Sequence, residues 1–255
     1  MPGAAATNGG RDSVALATWH ARYSLMAESY RSAVASILLS GRAANRNVIL
    51  ITSPGPGEGK TTTASNLGVV LAEMALEAKQ RVVLVDCDIR KPRLHRVFGF
   101  EDGPGLYDYL STPLNGDDSR AGALVRETAI PGLFLLPSGS VKNRNPQAAH
   151  SQHLGELVAS LRRQFSFVIL DTPPMIPFSD ARLLARWADA VILVVRSGRT
   201  SAESAMLANQ QLQADGATVL GTILTDWDPR AGISEYGYNK EYLESYRTYY
   251  AKNGE

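Results

Sequence analysis

The sequence predicts an α/β fold, a mostly parallel sheet with helices on both faces, and two observations carry that expectation. Six apolar runs recur along the chain: "VILIT" (48–52), "RVVLVD" (81–86), "LFLLPSG" (133–139), "FSFVILD" (165–171), "AVILVV" (190–195) and "ATVLGTIL" (217–224). They are continuous rather than alternating, which marks strands buried on both faces. Helical stretches separate them, near 60–78, 151–163, 179–187 and 200–214. No internal repeat and no linker divides residues 48–225.

The flanks follow from the same reading. Residues 1–13 are small and polar, and disorder is expected there. Residues 14–40 read as one helix, because Leu16, Trp19, Tyr23, Met26, Tyr30, Val34, Ile37 and Leu38 recur at steps of three and four. The expected division is a disordered 1–13, one domain with an N-terminal helical arm over 14–232, and a flexible tail over 233–255. That tail holds six of the chain's 10 tyrosines.

Composition excludes several function classes. With 255 residues and 44% hydrophobic content, the core is ample. A formal net charge of +1 gives no basic excess, so a nucleic-acid partner held by bulk charge is not expected. Cys87 is the single cysteine; no intrachain disulfide forms, and a reducing, cytoplasmic compartment is expected. No apolar run reaches the roughly 18–20 residues needed to span a bilayer, and "MPGAAATNGGRD" lacks the pattern of a secretory leader. Any membrane association is expected to come through a partner.

The stretch "VILITSPGPGEGKTTTASNLG" (48–68) carries the first chemistry. A buried strand ends at Thr52, a loop rich in glycine and proline follows, and Lys60-Thr61 opens a helix. Glycines 55, 57 and 59 let the backbone turn so that its N–H groups converge on an anion. The helix N-terminus adds partial positive charge at the same place. In such a loop Lys60 reaches the β- and γ-phosphates and the Thr61 hydroxyl ligates Mg²⁺. This is a P-loop in outline, G-x-x-x-x-G-K-[ST], with Pro54 in the first glycine slot. Proline has no N–H to give there, but its fixed φ suits the start of a turn. Gly55, Gly57, Glu58, Gly59, Lys60, Thr61 and Thr62 are the candidate nucleotide-binding residues. The blander reading, a glycine-rich turn with a chance lysine, is opposed by the strand before, the helix after and the GKT spacing.

Two more strand ends supply carboxylates. "RVVLVDCDIRKP" (81–92) ends with Asp86, followed by Asp88, Arg90 and Lys91, and "FSFVILDTPP" (165–174) ends with Asp171. In a parallel sheet ligands sit at the C-terminal strand edge, so these acids are expected to point at the phosphates. Mg²⁺ takes oxygen ligands, often one or two carboxylates plus phosphates. Asp171 fits the Walker B role, holding the metal directly or through water, and Asp86 is a second candidate ligand. Asp86 or Asp88 could orient or deprotonate an attacking hydroxyl. Capping or loop satisfaction is the competing account of strand-end aspartates, stronger for Asp88 alone than for Asp86 and Asp171 together. Arg90, Lys91 and Arg93 read as a solvated basic turn, as neutralisers of phosphate charge, or as holders of a tyrosyl substrate.

Taken in order, "SPGPGEGKTT", "VVLVDCDIRKP", "FVILDTPP" and "LVVRSGRTS" resemble the bacterial protein-tyrosine kinases (BY-kinases), cytoplasmic kinases of polysaccharide export and chain-length control. "VLVDCDIR" matches their second acidic motif, often called Walker A′. The resemblance covers roughly residues 22–255. It implies a P-loop NTPase-like fold with ATP and Mg²⁺ as cofactors, held by Gly57, Gly59, Lys60 and Thr61. It implies that Asp86 and Asp88 act in catalysis and that Asp171 serves the metal. It also implies a C-terminal cluster autophosphorylated between neighbouring subunits, here Tyr236, Tyr238, Tyr242, Tyr246, Tyr249 and Tyr250. A homo-oligomer, a membrane chain-length regulator as activating partner, an opposing tyrosine phosphatase and a place at the inner face of the membrane follow from the same likeness.

Spacing gives the tail a rival account. Tyr238, Tyr242, Tyr246 and Tyr250 fall at steps of four, one face of a helix, which is the pattern of packing. Against packing, Leu243 is the only aliphatic residue between 238 and 250, and Lys240, Glu241, Glu244 and Arg247 are interleaved at the chain end. The acceptor reading rests on the resemblance more than on spacing. Two departures from the family pattern stand out. The N-terminal helix of the family carries E-x-x-R-x-x-R, which helps assemble a ring; Glu28 and Arg31 match it, but Val34 replaces the second arginine and its bidentate contact. "NPQAAH" (145–150) and "ILTDWDP" (223–229) match only loosely, the second in a region expected near the nucleotide base.

The sequence therefore predicts an ATP-dependent protein-tyrosine autokinase that regulates capsular or exopolysaccharide synthesis and export. A positioning ATPase of the ParA/MinD group shares the fold and motif order. That group places a lysine early in the loop, however, where this chain has Gly55, and has no use for a tyrosine tail. A non-catalytic, nucleotide-sensing regulator is the third reading, opposed by the complete set of carboxylates.

Overall fold

The computed structural model describes residues 14–40, 47–111, 119–139 and 153–227. The stretches expected to be a disordered N-terminus and a tyrosine tail lie outside them. Among the described residues seven strands form one sheet: β1 (Val48–Thr52), β2 (Val82–Asp86), β3 (Arg126–Glu127), β4 (Leu133–Leu136), β5 (Phe167–Asp171), β6 (Ala190–Arg196) and β7 (Val219–Thr225). Their spatial order is β3-β4-β2-β5-β1-β6-β7, parallel throughout except for the β3–β4 pair. The helices are α1 (Ala17–His20), α2 (Leu25–Leu39), α3 (Lys60–Leu76), α4 (Leu94–Val97), α5 (Leu106–Ser111), α6 (Ser119–Leu124), α7 (His153–Gln164), α8 (Asp180–Leu184) with a 3₁₀ turn at Ala185–Trp187, and α9 (Ala202–Ala214).

The six expected strands are present with trimmed ends. The two-residue β3 was not expected, since so short a polar piece has no readable period. It forms where the chain doubles back before β4, and the Thr128 hydroxyl closes that turn by donating to the carbonyl of Leu133 at 2.8 Å.

Why the runs are continuous is visible in β1. Val48 and Leu50 enter one core with Leu154, Leu157 and Leu161 of α7 and Leu212 of α9. Ile49 and Ile51 enter the opposite core with Leu67, Val70 and Leu71 of α3 and with Tyr30 and Val34 of α2. Each fully buried aliphatic side chain contributes about 1.5–3 kcal/mol, so a strand covered on both faces needs an apolar residue at every position.

The expected single helix over 14–40 is two helices. Ser24 takes an extended conformation and its hydroxyl accepts the N–H of Ala27 at 3.1 Å, so it starts α2 rather than continuing α1. The arm is fastened by Asn66 of α3. Its Oδ1 accepts from the N–H and hydroxyl of Thr18 at 2.9 and 2.8 Å, and its Nδ2 donates to the carbonyls of Val14, Ala15 and Thr62. Val34 is fully buried, so α2 turns this position into the core.

The sheet order fixes where a ligand can sit. The chain leaves β1 toward β2 on one side and leaves β5 toward β6 on the other. The crevice at such a switch point opens at the C-terminal ends of β1 and β5. The phosphate loop follows β1, Asp171 ends β5 and Asp86 ends β2.

Candidate active site

Gly57 and Gly59 hold the loop after β1 in left-handed geometry, with φ of +77° and +98°. Gly59 caps α3 and Lys60 is its first residue. Side chains from the far edge of the sheet brace the loop from behind. The Thr200 hydroxyl donates to Glu58 Oε1 at 2.6 Å, and Glu58 Oε2 accepts the N–H of Gly55 at 3.1 Å. The Thr225 hydroxyl donates to the carbonyl of Glu58 at 2.7 Å. Arg196 donates to the carbonyl of Gly57 at 3.0 Å and pairs with Asp226 at 2.8 Å. The buried Glu58 side chain is thus engaged in shaping the loop.

Opposite the loop, Asp86 and Asp171 are direct neighbours in the register of β2 and β5, and both are almost completely buried. Asp86 Oδ2 accepts the N–H groups of Arg93 and Leu94, each at 3.0 Å. Its Oδ1 has no hydrogen-bond partner, and neither does Asp171 Oδ1. Burial raises the Asp171 pKa to about 7, against a hydrogen bond with Thr61 and the charge of Lys60 that pull it down. Burial, and then the charge of Asp171, pushes Asp86 well above the ordinary carboxylate range, although the N–H groups of Leu94 and Arg93 oppose the shift. Burial lowers the pKa of Lys60, with Asp171, Asp88 and Glu58 acting the other way. Two carboxyls this close share protons, and near neutrality the pair is not fully ionised. Asp88 sits at the mouth, its Oδ1 accepting the N–H of Lys91 at 2.9 Å.

Two orphaned acid oxygens beside a lysine and a threonine hydroxyl fit a divalent cation carrying a polyphosphate. Mg²⁺ would take oxygen from Thr61, from Asp171 or Asp86, and from the phosphates. Among the described residues no group of three or more His, Cys, Asp or Glu is placed to hold a metal ion.

The structure gathers Gly55, Gly57, Glu58, Gly59, Lys60, Thr61 and Thr62 into one loop and helix start, with the Asp171 carboxyl beside Lys60 and Thr61 and Asp86 next to Asp171 on the neighbouring strand. Glu28 and Arg31 lie instead on α2, paired with each other at 3.2 Å, and Arg31 also donates to the carbonyl of Arg22 at 2.8 Å. Tyr236, Tyr238, Tyr242, Tyr246, Tyr249 and Tyr250 fall outside the described residues, as does "NPQAAH". The bracing roles of Arg196, Thr200 and Thr225 were not foreseen. "LVVRSGRTS" and "ILTDWDP" were visible as segments, but nothing local says that they meet the phosphate loop.

Comparison with known proteins agrees with the fold. The family model described as "AAA domain" matches residues 46–214. Tyrosine-protein kinase YwqD of Bacillus subtilis is 33% identical over 84% of this chain and 86% of its own length. Several longer curated relatives named as tyrosine-protein kinases match too, and the chain spans only 27–29% of their length. The kinase domain of the Escherichia coli tyrosine kinase ETK superposes with a TM-score of 0.75 at 26% identity, over 88% of this chain and 84% of that one. MinD of Pyrococcus horikoshii, solved with Mg-ADP, superposes with a TM-score of 0.55 at 26% identity, over 73% and 76%.

Proposed function

Because the chain belongs to the bacterial protein-tyrosine kinase family, we propose that it is an ATP-dependent autokinase that phosphorylates its own C-terminal tyrosines between subunits. The observation that carries this is the convergence of Lys60 and Thr61 with the unpartnered Asp86 and Asp171 oxygens at the end of the sheet. The loop amides and Lys60 hold the phosphates and stabilise charge on the group in transfer. Mg²⁺, held by Thr61 and Asp171 with help from Asp86, supplies further charge neutralisation. The tyrosine oxygen forms a bond to the γ-phosphorus as the bond to the ADP oxygen breaks. Asp86 takes the phenolic proton on Oδ1, the oxygen with no other hydrogen-bond partner. Asp88, at the mouth, is placed to orient the phenolic hydroxyl.

The acceptors in this reading are Tyr236, Tyr238, Tyr242, Tyr246, Tyr249 and Tyr250. Each phosphate adds about −1.5 to −2 charge, so several in one tail repel and loosen the assembly. The role extends to control of capsular or exopolysaccharide export. There a membrane chain-length regulator acts as partner and a tyrosine phosphatase resets the cycle, at the inner face of the membrane. Among the described residues no helix is long and apolar enough to cross a membrane. In this reading attachment comes through the partner. Glu28 and Arg31 serve contacts between copies.

Incubation with ATP and Mg²⁺, followed by mass spectrometry of residues 233–255, tests the proposal. Phosphate is expected on the tail. A Lys60→Met chain that labels as well as the native one would contradict it. The likeness to MinD favours one alternative, a positioning ATPase; release of free phosphate with no labelled tyrosine selects it.

A further inference from the structure

The turn between β2 and α4 carries three basic residues, and their surroundings differ. Arg90 is engaged: its Nη2 lies 3.1 Å from Oδ2 of the buried Asp180, and its guanidinium stacks 4.2 Å from the Phe178 ring centre. The backbone of the turn is engaged as well. Cys87 N–H donates to the carbonyl of Asp171, Lys91 N–H to Asp88, and Arg93 and Leu94 N–H to Asp86. The turn is therefore stiff and tied to the catalytic acids at both ends. Two cations are left over. The side chains of Lys91 and Arg93 are exposed, and neither has a hydrogen-bond or ion-pair partner among the described residues. Arg93 lies close enough to Asp171 for its charge to be felt there.

This placement has a purpose if the incoming segment is anionic. Asp88 at the mouth, together with the nucleotide phosphates of the kinase reading, repels an acidic peptide, so such a peptide needs fixed positive charge beside them. Segment 235–246 of the chain's own tail is of that kind, with Glu235, Glu241 and Glu244 against Lys240 alone. Glu235 precedes Tyr236, Glu241 precedes Tyr242, and Glu244 stands two before Tyr246. We propose that Lys91 and Arg93 read the glutamate ahead of the acceptor tyrosine, seating segment 235–246 of a second copy with the phenol toward Asp86. The inference rests on the kinase reading and adds its rule of acceptor selection. Arg90, fixed on Phe178 and Asp180, holds the turn for that contact.

The test uses two full-length chains. The kinase chain carries phenylalanine at its six tail tyrosines, and the acceptor chain carries Lys60→Met. Rates at varied acceptor concentration give a KM for the tail. Changing Glu235, Glu241 and Glu244 to Gln in the acceptor is expected to raise that KM roughly three- to tenfold, the scale of one or two exposed ion pairs. Lys91→Glu in the kinase is expected to do the same with the KM for ATP unchanged. An acceptor with lysine at those three glutamates is expected to restore the rate with this charge-reversed kinase. Equal KM values for the Glu and Gln acceptors overturn the proposal while leaving the kinase reading intact. So does a shift in the KM for ATP, which would assign Lys91 to the nucleotide. Absence of label on the native acceptor, with free phosphate released, overturns the kinase reading itself.

Discussion

At the scale of single residues, the two oxygens of Asp86 have different duties. Oδ2 holds the start of α4 through two backbone N–H groups, and Oδ1 has no partner. Asp86→Asn separates them, because the amide oxygen can keep both N–H bonds while the buried charge beside Asp171 is removed. The nucleotide-free variant is expected to melt higher than the native chain at pH 8. Tail labelling is expected to fall by about 10²–10⁴, the usual contribution of a general base. Parallel melting curves and phosphotyrosine assays check both halves, and a variant that labels normally removes Asp86 from the reaction. Lys60, Asp86 and Asp171 were legible in the sequence because each ends or follows a continuous apolar run, where topology alone aims side chains at one edge. Glu58 was legible only as part of a loop. Its partner Thr200 is 142 positions away, and no period or local motif encodes a contact of that span.

Elements were read well where one rule governed them and poorly where two competed. Helical periodicity runs unbroken through 14–40, yet the Ser24 hydroxyl offers the backbone a cap and the helix restarts there. Burial of Val34 likewise follows from tertiary packing against α3. At α7 a similar competition gives a prediction with a sign. Gly155 lies inside a helix, where alanine is ordinarily worth up to about 1 kcal/mol more. A Cβ at Gly155, however, would stand 2.5 Å from the Trp187 ring. The contact is with the outer edge of the six-membered ring, so the partly exposed indole must turn away to admit the methyl group. Gly155→Ala is expected to destabilise the chain by about 1–3 kcal/mol, the cost of overpacking. In a Trp187→Leu background the same change is expected to be neutral or stabilising. Urea melts of the four chains form a double-mutant cycle, and additive effects would mean that helix and turn do not meet as described.

For the whole molecule, the sheet separates two cores and carries the two acids at the rim between them, so protonation, metal binding and global stability are linked. Both carboxyls bind a proton more tightly in the folded chain than in the unfolded one, where an aspartate titrates near 3.8. Between pH 4 and pH 7 the folded state therefore holds more protons, and stability of the nucleotide-free protein is expected to fall as pH rises through that window. Above the folded value of about 7 for Asp171 its share of the loss is complete. Mg²⁺ needs the ionised acids, so its affinity, and the stabilisation given by a non-hydrolysable ATP analogue with Mg²⁺, should grow with pH over the same range. At a hundred times its Kd a ligand adds about 2.7 kcal/mol, which for a chain of this size raises Tm by roughly 5–10 °C. Scanning calorimetry at pH 6 and pH 8 is expected to show a lower Tm for the free protein at pH 8 and a larger shift on adding analogue and Mg²⁺. Chelation should remove most of that shift, and Lys60→Met should weaken it at both pH values. A shift of equal size at both pH values, or one that survives chelation, would show that Asp86 and Asp171 face no cation and that the nucleotide is held by the loop alone.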